Sequence, residues 1–257
     1  MMTEAAGYIP VPQNVPIRDE FMPVIADVCR YLKNEAADLV HSAYVYGSIS
    51  TGLAIPMVSD LDLTLLLYAQ ATEADQKRLE HIRQMIENCH SVVSKVDFDI
   101  GTVDQITAPL PDLAWRFWLK HHCRCIYGED LNAGIAPFKP SRLIALSVNG
   151  DFRQVLERYG EKITACTSTT LSQKLRREAA RKAIRSTNIL RHETDVDWPL
   201  TLDDYAERFQ SLFPEKRAEM QFFLKEARAP APQVDDFACR LLAFVDWMDA
   251  KHKELSC

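Results

Sequence analysis

The chain has 257 residues, of which 47% are hydrophobic and 26% charged, and its formal net charge is -6 at pH 7. This balance is typical of folded globular proteins and excludes an intrinsically disordered chain. The excess of acidic residues also argues against a general affinity for nucleic-acid backbones or anionic membranes.

The sequence carries no sign of a membrane span or a secretory signal. Its longest apolar run, from Leu61 to Tyr68, is interrupted by Asp62 and Thr64 and is shorter than the roughly 20 residues of a membrane-spanning helix. The first ten residues lack the basic segment followed by an apolar segment that is typical of a secretory signal. The seven cysteines are odd in number and scattered, as is typical of reduced thiols. We therefore expect a cytoplasmic protein.

Helix and strand patterns alternate in the first half of the chain. Residues 1–17 carry three prolines and are predicted to form an extended arm. Beyond the arm, apolar residues recur at helical spacing in some segments and alternate with polar residues in others. The predicted elements are a helix beginning at Arg18, a strand from Ala43 to Tyr46, a strand from Leu61 to Leu67, a helix over 73–93, a strand from Lys95 to Val103 and a Trp-rich helix over 112–122.

Strand patterns disappear after the loop that contains Gly134, Pro137 and Pro140. The predicted helices beyond it cover residues 141–160, 170–192, 201–213, 215–228 and 234–254. The sequence therefore predicts an α+β protein of two domains. An N-terminal α/β domain with a mixed sheet would span residues 1–138, and a C-terminal all-helical bundle would span residues 139–257.

Two segments of the first half carry groups suited to phosphate and metal chemistry. Gly47 and Ser48 directly follow a predicted strand, where backbone amides and a hydroxyl at a sharp turn can cradle phosphate oxygens. Asp60 and Asp62 are two positions apart, so on a strand their carboxylates point to the same side. A divalent cation relieves their mutual repulsion, and hard oxygen ligands favour Mg²⁺.

A third carboxylate is available on the next predicted strand, where Asp97 and Asp99 alternate with apolar residues. If that strand lies beside the one carrying Asp62, a third carboxylate joins the cluster, and three carboxylates can hold two metal ions. Each feature alone is common on solvated surfaces. Their combination is not, because aspartate is depleted in strands.

The pattern of Gly47-Ser48, eleven further residues, Asp60-Leu61-Asp62 and a later strand carboxylate resembles the nucleotidyltransferases of the DNA polymerase β superfamily. The Gly-Ser-x-x-x-Gly turn, the segment from Tyr127 to Leu131 and the helical second half also resemble the aminoglycoside adenylyltransferase-like group. This resemblance implies Mg²⁺-dependent transfer of a nucleoside monophosphate, AMP from ATP or the equivalent from another NTP, onto a hydroxyl of a small, aminoglycoside-like acceptor.

The resemblance also implies roles for individual residues. Asp60 and Asp62 would hold two metal ions that bridge the triphosphate, and Ser48 on the Gly47 turn would bind a phosphate. The third carboxylate, as metal ligand or general base facing the acceptor hydroxyl, matches Asp97 better than Asp99. Members of the group commonly have glutamate at this position, so the identity of the base stays open between the two.

Two features of the second half bear on ligands. The basic helix over 170–192 offers Lys182 and Arg185 to the triphosphate, although the same charges fit an RNA backbone. Acidic residues around Trp198 suit a cationic acceptor, although a capped helix start explains most of them. These acidic residues are Asp195, Asp197, Asp203 and Asp204.

Two other functions are compatible with the sequence. A degenerate, non-catalytic domain could act as an antitoxin-like or sensor module, but an inactive site has no physical reason to keep like charges together. An RNA-tailing enzyme would need a basic surface, against which the net charge of -6 argues. The sequence leaves the acceptor, the NTP base and the oligomeric state open.

Overall fold

The computed structural model describes residues 2–3, 7–12, 15–232, 234 and 236–255. The chain divides into two compact units, Met1–Lys139 and Pro140–Cys257. Among the described residues, no helix is both long enough and apolar enough to cross a membrane. Six of the cysteines are free thiols, and Cys257 lies outside the described residues.

The N-terminal unit mixes strands and helices. In chain order it contains β1 (Met2–Thr3), β2 (Val11–Pro12), α1 (Met22–Glu35), β3 (Val40–Tyr46), α2 (Gly47–Ser50), β4 (Leu61–Leu67), α3 (Glu73–Cys89), β5 (Val96–Thr102), α4 (Val103–Thr107), α5 (Leu113–His122) and β6 (Arg124–Gly128). Short β1 and β2 pair with each other, and the other strands form one sheet in the order β5-β4-β3-β6. The pairs of β3 with β4 and β6 are antiparallel, whereas β4 and β5 run parallel. The predicted mixed sheet is thereby confirmed.

Alternation along β4 separates the two faces of the sheet. Leu61, Leu63 and Leu65 lie in the apolar core that α1 and α3 cover. Thr64 faces the other side, where its hydroxyl accepts a hydrogen bond from Trp118 Nε1 of α5 at 2.9 Å. Asp62 shares this second face because it is two positions before Thr64. The site carboxylates therefore lie on the side of the sheet away from the larger core.

Helix α3 fixes the start of the edge strand β5. The Val96 N–H donates to Glu87 Oε1 at 2.8 Å, and Val96 O accepts from Arg83 Nη1 at 3.3 Å. Arg83 and Glu87 also form an ion pair with each other. This Arg83–Glu87 clamp satisfies the backbone groups of Val96, which the sheet leaves open at its edge.

The extended arm packs on its own unit. Ile9 is buried, and its N–H donates to Phe138 O at 2.8 Å. Buried His121 of α5 contacts Pro10 O through Nδ1 at 2.9 Å. Burial lowers the pKa of His121 to about 4, so the ring is neutral at pH 7 and has a structural role here.

All the regular elements that the structure describes in the C-terminal unit are helices. It contains α6 (Arg142–Asn149), α7 (Phe152–Ala165), α8 (Thr169–Ser186), α9 (Leu202–Leu212), α10 (Arg217–Arg228) and α11 (Phe237–Glu254). Helices α7, α8, α10 and α11 surround one apolar core. The single helix predicted over 141–160 is wrong in detail, because the chain breaks at Gly150 and Asp151 between α6 and α7. The predicted α+β class, with a helical C-terminal region, is confirmed.

The basic helix α8 is not simply a solvated charged face. Arg176 is buried and forms an ion pair with buried Glu226 of α10. Its guanidinium also donates to Ala231 O, and Glu226 Oε1 accepts from the Ala231 N–H at 3.3 Å. Arg191, just beyond the helix, is buried as well. These two arginines of the basic segment over 170–192 therefore belong to the interior of the C-terminal unit.

Candidate active site

Three aspartates converge where β4 and β5 begin. Asp60 directly precedes β4, Asp62 is its second residue, and Asp97 is the second residue of β5. In the parallel pairing, Asp62 stands directly opposite Asp97. One carboxylate oxygen from each of the three residues lies within 4.8 Å of the others. The proximity expected from the sequence is thus produced by the register of two neighbouring strands.

The Gly47 turn comes very close to Asp62. Gly47 has a φ of +70°, a conformation that residues with a Cβ adopt only with strain. A Cβ built on Gly47 would lie 2.4 Å from Asp62 Oδ2. Ser48 follows, half-buried, and the turn is held by Ser50 Oγ, which donates to Gly47 O at 2.9 Å. Only glycine permits this turn to approach the carboxylates so closely.

Two residues that precede β5 contact the carboxylate cluster. The ammonium group of Lys95 forms an ion pair with Asp97 and lies 3.5 Å from Asp60 Oδ2. Ser94 Oγ donates a hydrogen bond to Asp60 Oδ1. Burial acts to lower the pKa of Lys95, but contact with Asp97 and Asp60 outweighs burial and raises it. Lys95 is therefore protonated at neutral pH.

Asp62 is the least compensated member of the cluster. It has no hydrogen bond or ion pair with any residue that the structure describes. Burial, followed by the nearby charges of Asp60 and Asp97, raises its pKa to about 6. Hard carboxylate oxygens at this separation, one of them unpaired, are a donor set that suits Mg²⁺.

Asp99 lies on the same strand and outside this cluster. It stands opposite Thr64 in the sheet, two pairs beyond Asp62 and Asp97. Its Oδ2 accepts a hydrogen bond from Tyr46 OH at 2.6 Å. Burial and then the charge of Asp99 raise the pKa of Tyr46, so the phenol stays protonated and can donate. The structure thus gives Asp99 a neutral partner and groups Asp97 with Asp60 and Asp62.

Lys182 and Arg185 lie on α8 in the C-terminal unit. Lys182 Nζ contacts Asp151 Oδ1 at 2.9 Å and Asn149 Oδ1 at 3.3 Å. Arg185 is exposed and has no ion pair or hydrogen bond with the described residues. Of these two residues, Arg185 is therefore the more available to an anion.

The acidic residues around Trp198 are largely engaged within their own unit. Asp195 and Asp197 form ion pairs with Arg208, and Asp203 forms one with Arg228. Asp204 belongs to a capping box in which Thr201 is the N-cap of α9. Helix capping and ion pairing explain this cluster, so it gives no support to a cationic acceptor.

Comparisons with known proteins agree with this geometry. Residues 27–122 match a family model described as a nucleotidyltransferase domain. One similar solved structure is that of a spectinomycin adenyltransferase from Enterococcus faecialis with ATP and spectinomycin. It is 14% identical, with a TM-score of 0.50, over 90% of this chain and 98% of the other. None of the curated proteins compared with the sequence matches it.

Proposed function

We propose, from the premise that residues 27–122 are a nucleotidyltransferase domain, that this protein transfers AMP from ATP to a hydroxyl of a small acceptor. The observation that carries the proposal is the convergence of Asp60, Asp62 and Asp97 within 4.8 Å beside the Gly47 turn. In this reaction the hydroxyl oxygen attacks the α-phosphorus, and the bond from that phosphorus to pyrophosphate breaks.

Asp60, Asp62 and Asp97 would hold Mg²⁺ in a two-metal arrangement. Bound there, the ions would neutralise charge that develops on the phosphate oxygens. Asp97 would also accept the proton of the attacking hydroxyl, as its place at the strand end beside Asp62 allows. Backbone and hydroxyl groups of Gly47 and Ser48 would bind a phosphate.

Lys182 and Arg185 stay predicted contacts of the triphosphate. Arg185, which has no described carboxylate partner, is the stronger candidate for a contact with the triphosphate. Lys182 could contribute only if it left Asp151, because the two already form an ion pair at 2.9 Å. Cytoplasmic location and the two-domain boundary after residue 138 stay predictions.

The proposed acceptor is a small hydroxylated molecule of the aminoglycoside type. Support comes from the net charge of -6, which disfavours RNA, and from the fold similarity to an enzyme crystallised with spectinomycin. The test incubates the full chain with Mg²⁺ and ATP labelled on the α-phosphate. Streptomycin and spectinomycin are supplied in one reaction and bulk tRNA in another.

We expect the label on an antibiotic and none on tRNA. Label on tRNA alone would refute the proposed small acceptor and favour an RNA-tailing enzyme. The proposal of nucleotidyl transfer would still stand. The protein is a non-catalytic nucleotide-binding module if ATP binds as strongly in EDTA as with Mg²⁺ and no tested acceptor causes pyrophosphate release from ATP. Calorimetry measures ATP binding, and a coupled phosphate assay measures pyrophosphate release on the same preparation.

Asp97→Asn and Asp99→Asn should have very different effects on turnover. Losing the carboxylate of Asp97 removes both a metal ligand and the proton acceptor, so we expect about a hundred-fold loss or more. Asn at position 99 keeps an oxygen that accepts from Tyr46 OH, so we expect a change below about three-fold. The measurement is the steady-state rate of pyrophosphate release. An inactive Asp99→Asn enzyme together with a nearly fully active Asp97→Asn enzyme would assign the third site carboxylate to Asp99 instead of Asp97.

A further inference from the structure

The ammonium group of Lys95 lies against the same carboxylates that would bind the metal. It contacts Asp97 Oδ2 directly and lies 3.5 Å from Asp60 Oδ2. Lys95 is two positions before Asp97, so its side chain leaves the backbone on the same side of the strand as Asp97. The fold thus places a cation of its own between two of the three site carboxylates.

An ammonium and a divalent ion compete for these carboxylates. Mg²⁺ demands oxygen ligands at about 2.0–2.1 Å, and its charge repels an ammonium held on the same groups. Metal binding by Asp60 and Asp97 is therefore opposed as long as Lys95 stays in contact with them. Its side chain is 36% exposed, so the flexible stem has open space into which it can move.

We propose that Lys95 is an internal counter-ion that competes with the divalent cation for Asp60 and Asp97. It keeps the carboxylate cluster together when no nucleotide is bound, and it makes the affinity for a bare metal ion low. The metal then binds strongly only with a triphosphate, whose oxygens supply further ligands. This role rests on the proposed function, because it concerns the same metal site.

The test is a titration of the full chain with Mn²⁺ in the absence of nucleotide. The concentration of free Mn²⁺ is measured from its electron paramagnetic resonance signal. Lys95→Met keeps much of the side-chain volume and removes the charge, whereas Lys95→Arg keeps the charge. Lys77→Met is the matched control, because Lys77 is exposed on α3 and pairs only with exposed Glu73 among the described residues. Circular dichroism establishes that each variant is folded.

We expect Lys95→Met to bind Mn²⁺ about ten-fold more tightly than the parent chain. Lys95→Arg and Lys77→Met should stay within about two-fold of it. With a non-hydrolysable ATP analogue present, the advantage of Lys95→Met should shrink, because the triphosphate supplies ligands to every variant. Equal or weaker Mn²⁺ binding by Lys95→Met would overturn the counter-ion role.

Asp62→Asn separates this failure from a failure of the proposed function. Asp62 forms no ion pair with Lys95, so its substitution leaves the contacts of Lys95 in place and tests the metal site separately. If Asp62→Asn weakens Mn²⁺ binding while Lys95→Met leaves it unchanged, only the role of Lys95 is refuted. If Asp62→Asn leaves Mn²⁺ binding unchanged, the metal site itself is wrong, and the proposed function is refuted with it.

Discussion

Asp62→Asn is expected to reduce pyrophosphate release from ATP by roughly a thousand-fold. Asn has the shape of Asp but neither its charge nor its strength as a metal ligand. The fold should be unaffected, because Asp62 makes no hydrogen bond or ion pair within the described chain and its charge is opposed by Asp60 and Asp97. Steady-state turnover and urea unfolding, measured on the same preparation, test both parts.

The matched control is Asp104→Asn, an exposed aspartate on α4 of the same unit. It should leave both turnover and stability unchanged. Turnover within ten-fold of the parent in Asp62→Asn would rule out Asp62 as an essential metal ligand. A loss of turnover accompanied by unfolding would contradict the claim that its charge serves the site rather than the fold.

Glu226→Gln is expected to lower the free energy of unfolding by about 3–5 kcal/mol, because it leaves the Arg176 charge buried without a counter-charge. Both side chains are almost fully buried, at 1% and 2% exposure, and both also bind the backbone of Ala231. Urea unfolding of the full chain, followed by circular dichroism, measures the loss. The ion pair thereby connects α8 and α10 to each other and to the backbone of Ala231, which follows α10.

The control for this variant is Glu254→Gln on α11, whose carboxylate pairs with Lys251 at the surface. Exposed pairs contribute little, so the expected change is within about 0.5 kcal/mol. A loss of similar size in both variants would indicate a general effect of removing negative charge. A negligible loss in Glu226→Gln would mean that the neutral amide satisfies Arg176 as well as the carboxylate does.

The fold was most predictable where alternation was clean. Leu61–Leu67 is a strand with the bounds that its pattern predicts, because every second residue is a leucine that faces the core. The strand Arg124–Gly128 was missed, since it is short, lies at the sheet edge and is half-buried on both sides. The periodicity of apolar residues alone cannot identify such a strand. The helix predicted over 73–93 ends at Cys89, where the chain turns back toward β5.

The candidate site was predictable in its parts, and the nucleotidyltransferase domain expected from them is confirmed over residues 27–122. Strand patterning placed Asp62 and Asp97 each on a strand, but it did not show that the two strands are neighbours or that Asp97 rather than Asp99 stands opposite Asp62. Lys95 was missed, although its place two residues before Asp97, at the start of the predicted strand, was an available signal. Its approach to Asp60 depends on the register of two strands, which one sequence does not show. The burial of Arg176 could not be predicted either, because arginine rarely lies buried unless it is paired, and its partner Glu226 is fifty residues away in the sequence.

The Arg83–Glu87 clamp favours the register in which Asp97, and not Asp99, joins the site. Asp97 and Asp99 are two positions apart, so sliding β5 by two residues along β4 would keep every side chain on its own face and put Asp99 opposite Asp62. Alternation of polar and apolar residues does not distinguish these two alignments. The hydrogen bonds from α3 to Val96 do, because they anchor one backbone unit of the strand. Two half-buried charges on a helix thus favour one of two chemically equivalent carboxylates without contacting either.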